Sequence, residues 1–244
     1  MADAWLLTAL IFAAAALYSS VGHGGGSGYL AAMALFGLAP NEMRPAALVL
    51  NVIVAGIGTV RFVRAGRFDA RLFALCAAGA MPFAFLGGVL SLTDVTYKRI
   101  VGAVLLFAAA RLLFTTAAFD AAEKRRAPVW AAILCGSGIG LLAGLTGTGG
   151  GIFLSPLLLF LRWADTKDTA GVSVAFILAN SLAGLGGLLT KSFVLPEGVA
   201  LWAVAAALGG LIGSEFGSKR LGNPALRKLL AVVLVVAGLK LVLA

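Results

Sequence analysis

Apolar residues along the chain fall into ten blocks, at 4–20, 29–39, 45–63, 72–92, 100–117, 129–145, 153–163, 170–189, 198–216 and 226–243, and polar residues collect in the short gaps between them. A helix that crosses hydrocarbon needs about 20 residues, with a working range of about 17–25. Six of the ten blocks, three in each half, fit a span comfortably. The blocks 29–39 and 153–163 are too short to cross alone, and each follows a glycine-rich break. The first break reads Val21-Gly22-His23-Gly24-Gly25-Gly26-Ser27-Gly28, and the second Thr146-Gly147-Thr148-Gly149-Gly150-Gly151-Ile152-Phe153. Glycine inside a helix costs about 1 kcal/mol relative to alanine, so three in succession mark a place where a helix stops. Irregular backbone at membrane depth is tolerated only where protein buries it or it lines a wet cavity.

The two breaks belong to an internal repeat, a pattern to be sought before other readings. Gly24-Gly25-Gly26 aligns with Gly149-Gly150-Gly151, Asn51 with Asn180, Lys98-Arg99 with Arg227-Lys228, and Arg111 with Lys240. The offset is 125 at the start and 129 later, so the second half carries a small insertion. The charged stretch 120–126, closed by Pro128, separates the halves. The expected division is a first membrane repeat at 1–118, a cytoplasmic linker at 119–128 and a second repeat at 129–244.

Composition supports a membrane protein. The chain is 61% hydrophobic and 12% charged, against about 45–50% and 25% in soluble domains. The first block carries Asp3 instead of a basic flank and has no small-residue cleavage site, so it reads as structure and not as a signal peptide. The net charge of +9 sits mostly in short loops, where it orients spans and faces anionic lipid. No basic patch with interleaved aromatics accompanies it, which argues against nucleic acid. Arg61, Arg64, Arg67 and Arg71 face Asp69 alone, and the loops holding Lys124-Arg125-Arg126 and Lys219 to Lys228 are also basic; the positive-inside rule places all three in the cytoplasm. The counterpart of the 61–71 loop, 191–197, is nearly neutral and is expected outside. Equivalent loops then lie on opposite faces, so the repeats are inverted. The expected fold is an all-α polytopic membrane protein with two inverted repeats, each a glycine-broken helical hairpin plus three transmembrane helices. Hairpin arms that cross fully, giving ten spans, preserve the inversion equally well.

Short, glycine-interrupted segments at matching places in two halves are the best sequence pointer to a transporter's binding site. Helix ends there aim N–H groups and a positive dipole end at an anion; the competing reading is close helix packing through small residues. His23, the single histidine, sits at the first tip, and Thr148 is its twin. It reads as a ligand contact, a proton-coupling group or a hydrogen-bonded strut. Asn51 and Asn180 lie within spans and need partners there, either a neighbouring helix or a cavity. The candidate substrate-binding set is therefore His23, Gly24, Gly25, Gly26, Asn51, Thr148, Gly149, Gly150, Gly151 and Asn180, with Thr146, Ser27, Ser155, Ser173 and Ser181 as further hydroxyl donors. The ten acidic residues fall in loops or at span ends, which argues against a cation carrier. Arg111 and Lys240 read as snorkelling cations. Cys76 and Cys135 read as small hydrophobes. One histidine and two scattered cysteines assemble no metal site, and no cofactor motif is present: the glycines lack the lysine of a phosphate loop and the preceding strand of a dinucleotide fingerprint.

The stretches GHGGGSGYLAAMALFGLAP and GLTGTGGGIFLSPLLLF, each opening one half, resemble the TauE/SafE sulfite exporter family of bacterial membrane permeases, and the resemblance covers nearly the whole chain. The first copy has Ala31 where the second has Pro156. The resemblance implies export of a small sulfur-containing anion, such as sulfite, sulfoacetate or another organosulfonate, across the bacterial inner membrane, with Gly24–Gly26 and Gly149–Gly151 lining the site. The expected partners are that small organic or inorganic sulfur anion and the lipid bilayer, with a homodimer left open. Rocking of the two halves is the expected motion. A passive anion channel, or a permease for another small anion, shares most of these features. A membrane enzyme is disfavoured, because His23 has neither a serine elbow nor an acidic partner. A non-transporting assembly protein has little loop surface with which to bind a partner.

Overall fold

The computed structural model describes residues 2–114, 124–191, 193–217 and 224–243. Among them are ten helices: α1 (Ala2–Ser19), α2 (Gly26–Leu35), α3 (Pro40–Arg64), α4 (Ala70–Val89), α5 (Asp94–Phe114), α6 (Val129–Thr146), α7 (Gly151–Phe160), α8 (Thr166–Leu188), α9 (Val199–Gly217) and α10 (Pro224–Leu243). The order of five is repeated: long, short, long, long, long. Asp120, Glu123, residues 119–123 of the expected linker, the end of the 100–117 block and residues 218–223 of the last basic loop lie outside the described residues. Of the expected six comfortable spans, four helices, α3, α4, α6 and α8, are long and apolar enough to cross a bilayer among the described residues. The chain is an all-helical, multi-pass membrane protein.

The helices of one half pack chiefly on those of the other. α4 lies along α6, and the equivalent pair α9 and α1 does the same; α5 pairs with α10 and α3 with α8, while α4 also meets α8 and α9 meets α3. Small residues permit this. A Cβ on Gly79, Gly136, Gly140 or Gly144 would overlap a carbonyl of the facing helix at Ile133, Cys76, Ala80 or Ala84, respectively. Gly209 and Gly213 of α9 stand equally close to the carbonyls of Phe12 and Ala16 in α1. Close backbone approach through small residues drives helix association where lipid offers no hydrophobic gain.

The buried side chains divide into two large clusters that do not follow the repeat boundary. One gathers α1, α2, α3, α5, α9 and α10, together with Ile152 at the start of α7, around Tyr29, Leu50 and Leu105. The other gathers α4, α6, α7 and α8 around Leu154, Leu158 and Phe176. A small third cluster, Ala55, Val174 and Ile177, lies where α3 meets α8 between them. Cys76 is buried as expected, whereas Cys135 is half-buried, and both are free thiols.

Candidate functional site

Each glycine break is a left-handed turn between two helices. α1 ends with Gly22 at φ +77°; the Gly22 amide donates to the Ser19 carbonyl (3.2 Å) and the His23 amide to the Tyr18 carbonyl (2.9 Å), the paired bonds of a Schellman cap. α2 then starts from Gly25 at φ +99°. In the second break, Gly147 at φ +85° closes α6 through a bond to the Ala143 carbonyl (2.8 Å), and α7 starts from Gly150 at φ +83°. A side chain at such angles is strained by about 1–3 kcal/mol. No side-chain hydrogen bond caps α2 or α7, although both helix starts are buried. The free N–H groups and positive dipole ends of two helices therefore point into the protein interior.

The two tips touch. A Cβ on Gly26 would stand 2.6 Å from the Thr148 carbonyl and 2.7 Å from Asn51 Nδ2, and one on Gly149 would stand 3.1 Å from the same nitrogen. Asn51 thus lies between the breaks, and its Nδ2 donates to the Gly147 carbonyl (3.1 Å). Ile177 of α8 packs against Gly24, Gly149 and Gly151. His23 reaches across: its Cδ2 lies 3.6 Å from a Cβ placed on Gly151, and its Nε2 is 3.0 Å from Ser155 Oγ, which donates to Ser173 Oγ (2.8 Å). His23 Nδ1 lies 3.1 Å from the Val21 carbonyl, which can only accept. The structure therefore brings together His23, Gly24, Gly26, Asn51, Thr148, Gly149 and Gly151. Gly25 and Gly150 are the hinge points behind them: Gly25 faces the Tyr29 ring, and Gly150 faces Ile139, Phe176 and Ala143.

Asn180 lies on α8 one turn beyond Phe176, which packs on Gly150, and one turn before Gly184, which faces Leu48 and Gly144. Its face is therefore turned to the α6–α7 break. Both its amide atoms, Asn51 Oδ1 and Ser181 Oγ are buried without a hydrogen-bond partner among the described residues. Ser181 Oγ stands 3.3 Å from a Cβ placed on Gly149. An unmet buried polar group costs about 1–3 kcal/mol, so several of them flanking one junction make the neighbourhood expensive to keep. Thr148 departs from its expected role. Thr146 Oγ1 donates to the Leu142 carbonyl (2.6 Å), so the 3.0 Å contact between the threonine hydroxyls is a donation from Thr148. That proton is engaged inside the tip. Ser27 likewise donates to Tyr18 (2.6 Å).

Three residues of the first half that sequence reading passed over hold the breaks in place, two of them at the second break. Tyr97 of α5 donates to the Thr146 carbonyl (3.0 Å). Arg44 of α3 donates from Nε to the Gly144 carbonyl (2.8 Å), from Nη1 to the Leu90 carbonyl (3.0 Å) and from Nη2 to the Gly87 carbonyl. Tyr29 does the corresponding service at the first break, donating to the Gly24 carbonyl (2.7 Å). Arg44 stands just before Pro45 and reads as a loop residue; α3 starts at Pro40 and carries it inside.

The family model "Sulfite exporter TauE/SafE" matches residues 7–241. The chain belongs to the TauE/SafE family. A relative from Sinorhizobium fredii (strain NBRC 101917 / NGR234), named "Probable membrane transporter protein y4hK", is 38% identical over 238 residues, covering 96% of each chain. A relative from Haemophilus influenzae (strain ATCC 51907 / DSM 11121 / KW20 / Rd), named "Probable membrane transporter protein", is 34% identical over 110 residues, 41% of this chain and 40% of its own. No solved structure matches.

Proposed function

We propose that this TauE/SafE protein is a transporter that exports a small sulfur-containing oxyanion, sulfite or an organosulfonate, across the bacterial inner membrane. The observation that carries the reading is the meeting of two buried, uncapped helix starts beside the unpartnered polar atoms of Asn180 and Ser181. Backbone N–H groups of α2 and α7, with the Asn180 amide and the Ser181 hydroxyl, take the place of water around the anion. Asn51 sets the distance between the tips. His23, through Ser155 and Ser173, is the one group there placed to link transport to a proton. The sulfur class comes from the family's name; the geometry speaks for a compact anion.

The tip glycines are all buried, and Asn51 and Asn180 are fully covered. A closed site favours a carrier that alternates over an open pore. The repeats are read as inverted, with 1–118 and 129–244 on either side of a cytoplasmic linker, so the tips enter from opposite faces near the midplane. Because the halves interlock, the moving bodies are the two buried clusters, sliding at the α3–α8 seam. The test is uptake into inside-out vesicles of labelled sulfite in competition with sulfate, thiosulfate and sulfoacetate. Saturable uptake with exchange for unlabelled anion is expected; no anion-dependent flux, or ohmic single-channel current, overturns the reading.

A further inference from the structure

Among the described residues, Arg44 is the one charged side chain that is buried, at 7% exposure. No carboxylate pairs with it among those residues. Its partners are three carbonyls at the C-terminal ends of α4 and α6. The carbonyls lie at the negative dipole ends of α4 and α6 and offset part of the guanidinium's field nearby, but they add no net charge, so a positive monopole remains. Arginine does not release its proton in proteins. The guanidinium reaches Gly144, one turn before the second tip, while Asn51 on the same α3 helix holds Gly147 in that tip. Seven residues of helix place the two at about 10 Å along the axis. A backbone contact joins them too: a Cβ on Gly147 would stand 3.0 Å from the Arg44 carbonyl.

We propose that Arg44 is a specificity-determining residue: a fixed internal charge, outside the anion's contact shell, that sets how strongly the tip site favours higher anion charge. The inference rests on the anion-site reading above. Taking that helical rise of about 10 Å as the scale of the separation, and an effective dielectric constant of about 20, one buried charge changes affinity by about ten-fold for each unit of ligand charge. Surface cations contribute differently, because salt screens them and leaves a buried charge nearly intact.

The test compares sulfate with methanesulfonate, sulfur anions of similar size that differ by one charge. Half-saturating concentrations are read from anion-dependent thermal stabilisation of the purified full chain in detergent. Arg44→Gln is expected to lower the sulfate preference about ten-fold, and Arg44→Lys to keep it within about three-fold. Raising salt from about 0.05 to about 0.5 M is expected to leave the wild-type preference nearly unchanged, a measurement that stands even where Arg44→Gln does not fold. A folded Arg44→Gln protein with the wild-type preference overturns the proposal, as does loss of the preference in Arg44→Lys or in high salt. A wild-type protein stabilised by neither anion sinks the anion-site reading itself, and is recognisable as that.

Discussion

Asn51 and Asn180 occupy equivalent positions yet do different work. Asn51 is tied to the Gly147 carbonyl, while Asn180 has both amide atoms unpartnered. Substitution should separate them. Asn51→Ala removes the bond that spaces the tips and is expected to cost about 1–3 kcal/mol, seen as a lower thermal midpoint in detergent. Asn180→Leu removes two unmet polar atoms, so it is expected to leave the midpoint unchanged or raised while abolishing stabilisation by anions. A clear drop in midpoint for Asn180→Leu would instead mark it as a structural tie. The recurrence of asparagine at matching places was legible in the sequence, because a buried amide in an apolar span stands out. Arg44 was not, since a charge beside a proline reads as loop; Ser181 was legible only as one of five hydroxyls with nothing to single it out.

Helix contacts carry the next set of consequences. On α6, Gly136, Gly140 and Gly144 present one face to α4, whereas a Cβ on Gly138 would meet nothing within 4 Å. Gly140→Leu is expected to lose the folded, monodisperse protein on size exclusion, and Gly138→Leu to keep it. At the start of α8, the Asp165 carboxylate caps the Asp168 amide (2.8 Å) and pairs with Lys124 (2.8 Å). Burial pushes the Asp165 carboxyl up, but the Asp168 amide and the Lys124 ammonium together hold it below the usual carboxylate range. A carboxyl depressed in the fold contributes stability that is present above its unfolded pKa, about 3.9, and is lost as pH falls through the lower folded value. Asp165→Ala is therefore expected to lower the midpoint by an amount worth about 1 kcal/mol at pH 5–7, and the gap to wild type should close towards pH 2–3. The exposed Lys124 pair adds little to that. A gap independent of pH would assign the loss to something other than the ionised cap.

Over the whole molecule, the two buried clusters meet where α3 crosses α8. A Cβ on Gly58 would lie 3.7 Å from that of Val174, within the span of a disulfide. In a background lacking Cys76 and Cys135, the pair Gly58→Cys and Val174→Cys is expected to stop flux on oxidation and regain it on reduction. Full flux through the oxidised form would show that the seam does not open.

Membrane residence, the ten helices among the described residues and the places where two of them break were all written in the sequence. They follow from local causes: apolar length against bilayer thickness, and glycine's reluctance to continue a helix. Which surfaces meet was decided only by the tertiary structure. Packing depends on carbonyls and side chains far apart in the chain, as when Arg44 finds Gly144 and Gly87, or Gly26 finds Thr148. The interlocking of the halves, the charge brought beside the tips and the engagement of the Thr148 proton come from those long-range contacts, and periodicity along one strand of sequence carries no record of them.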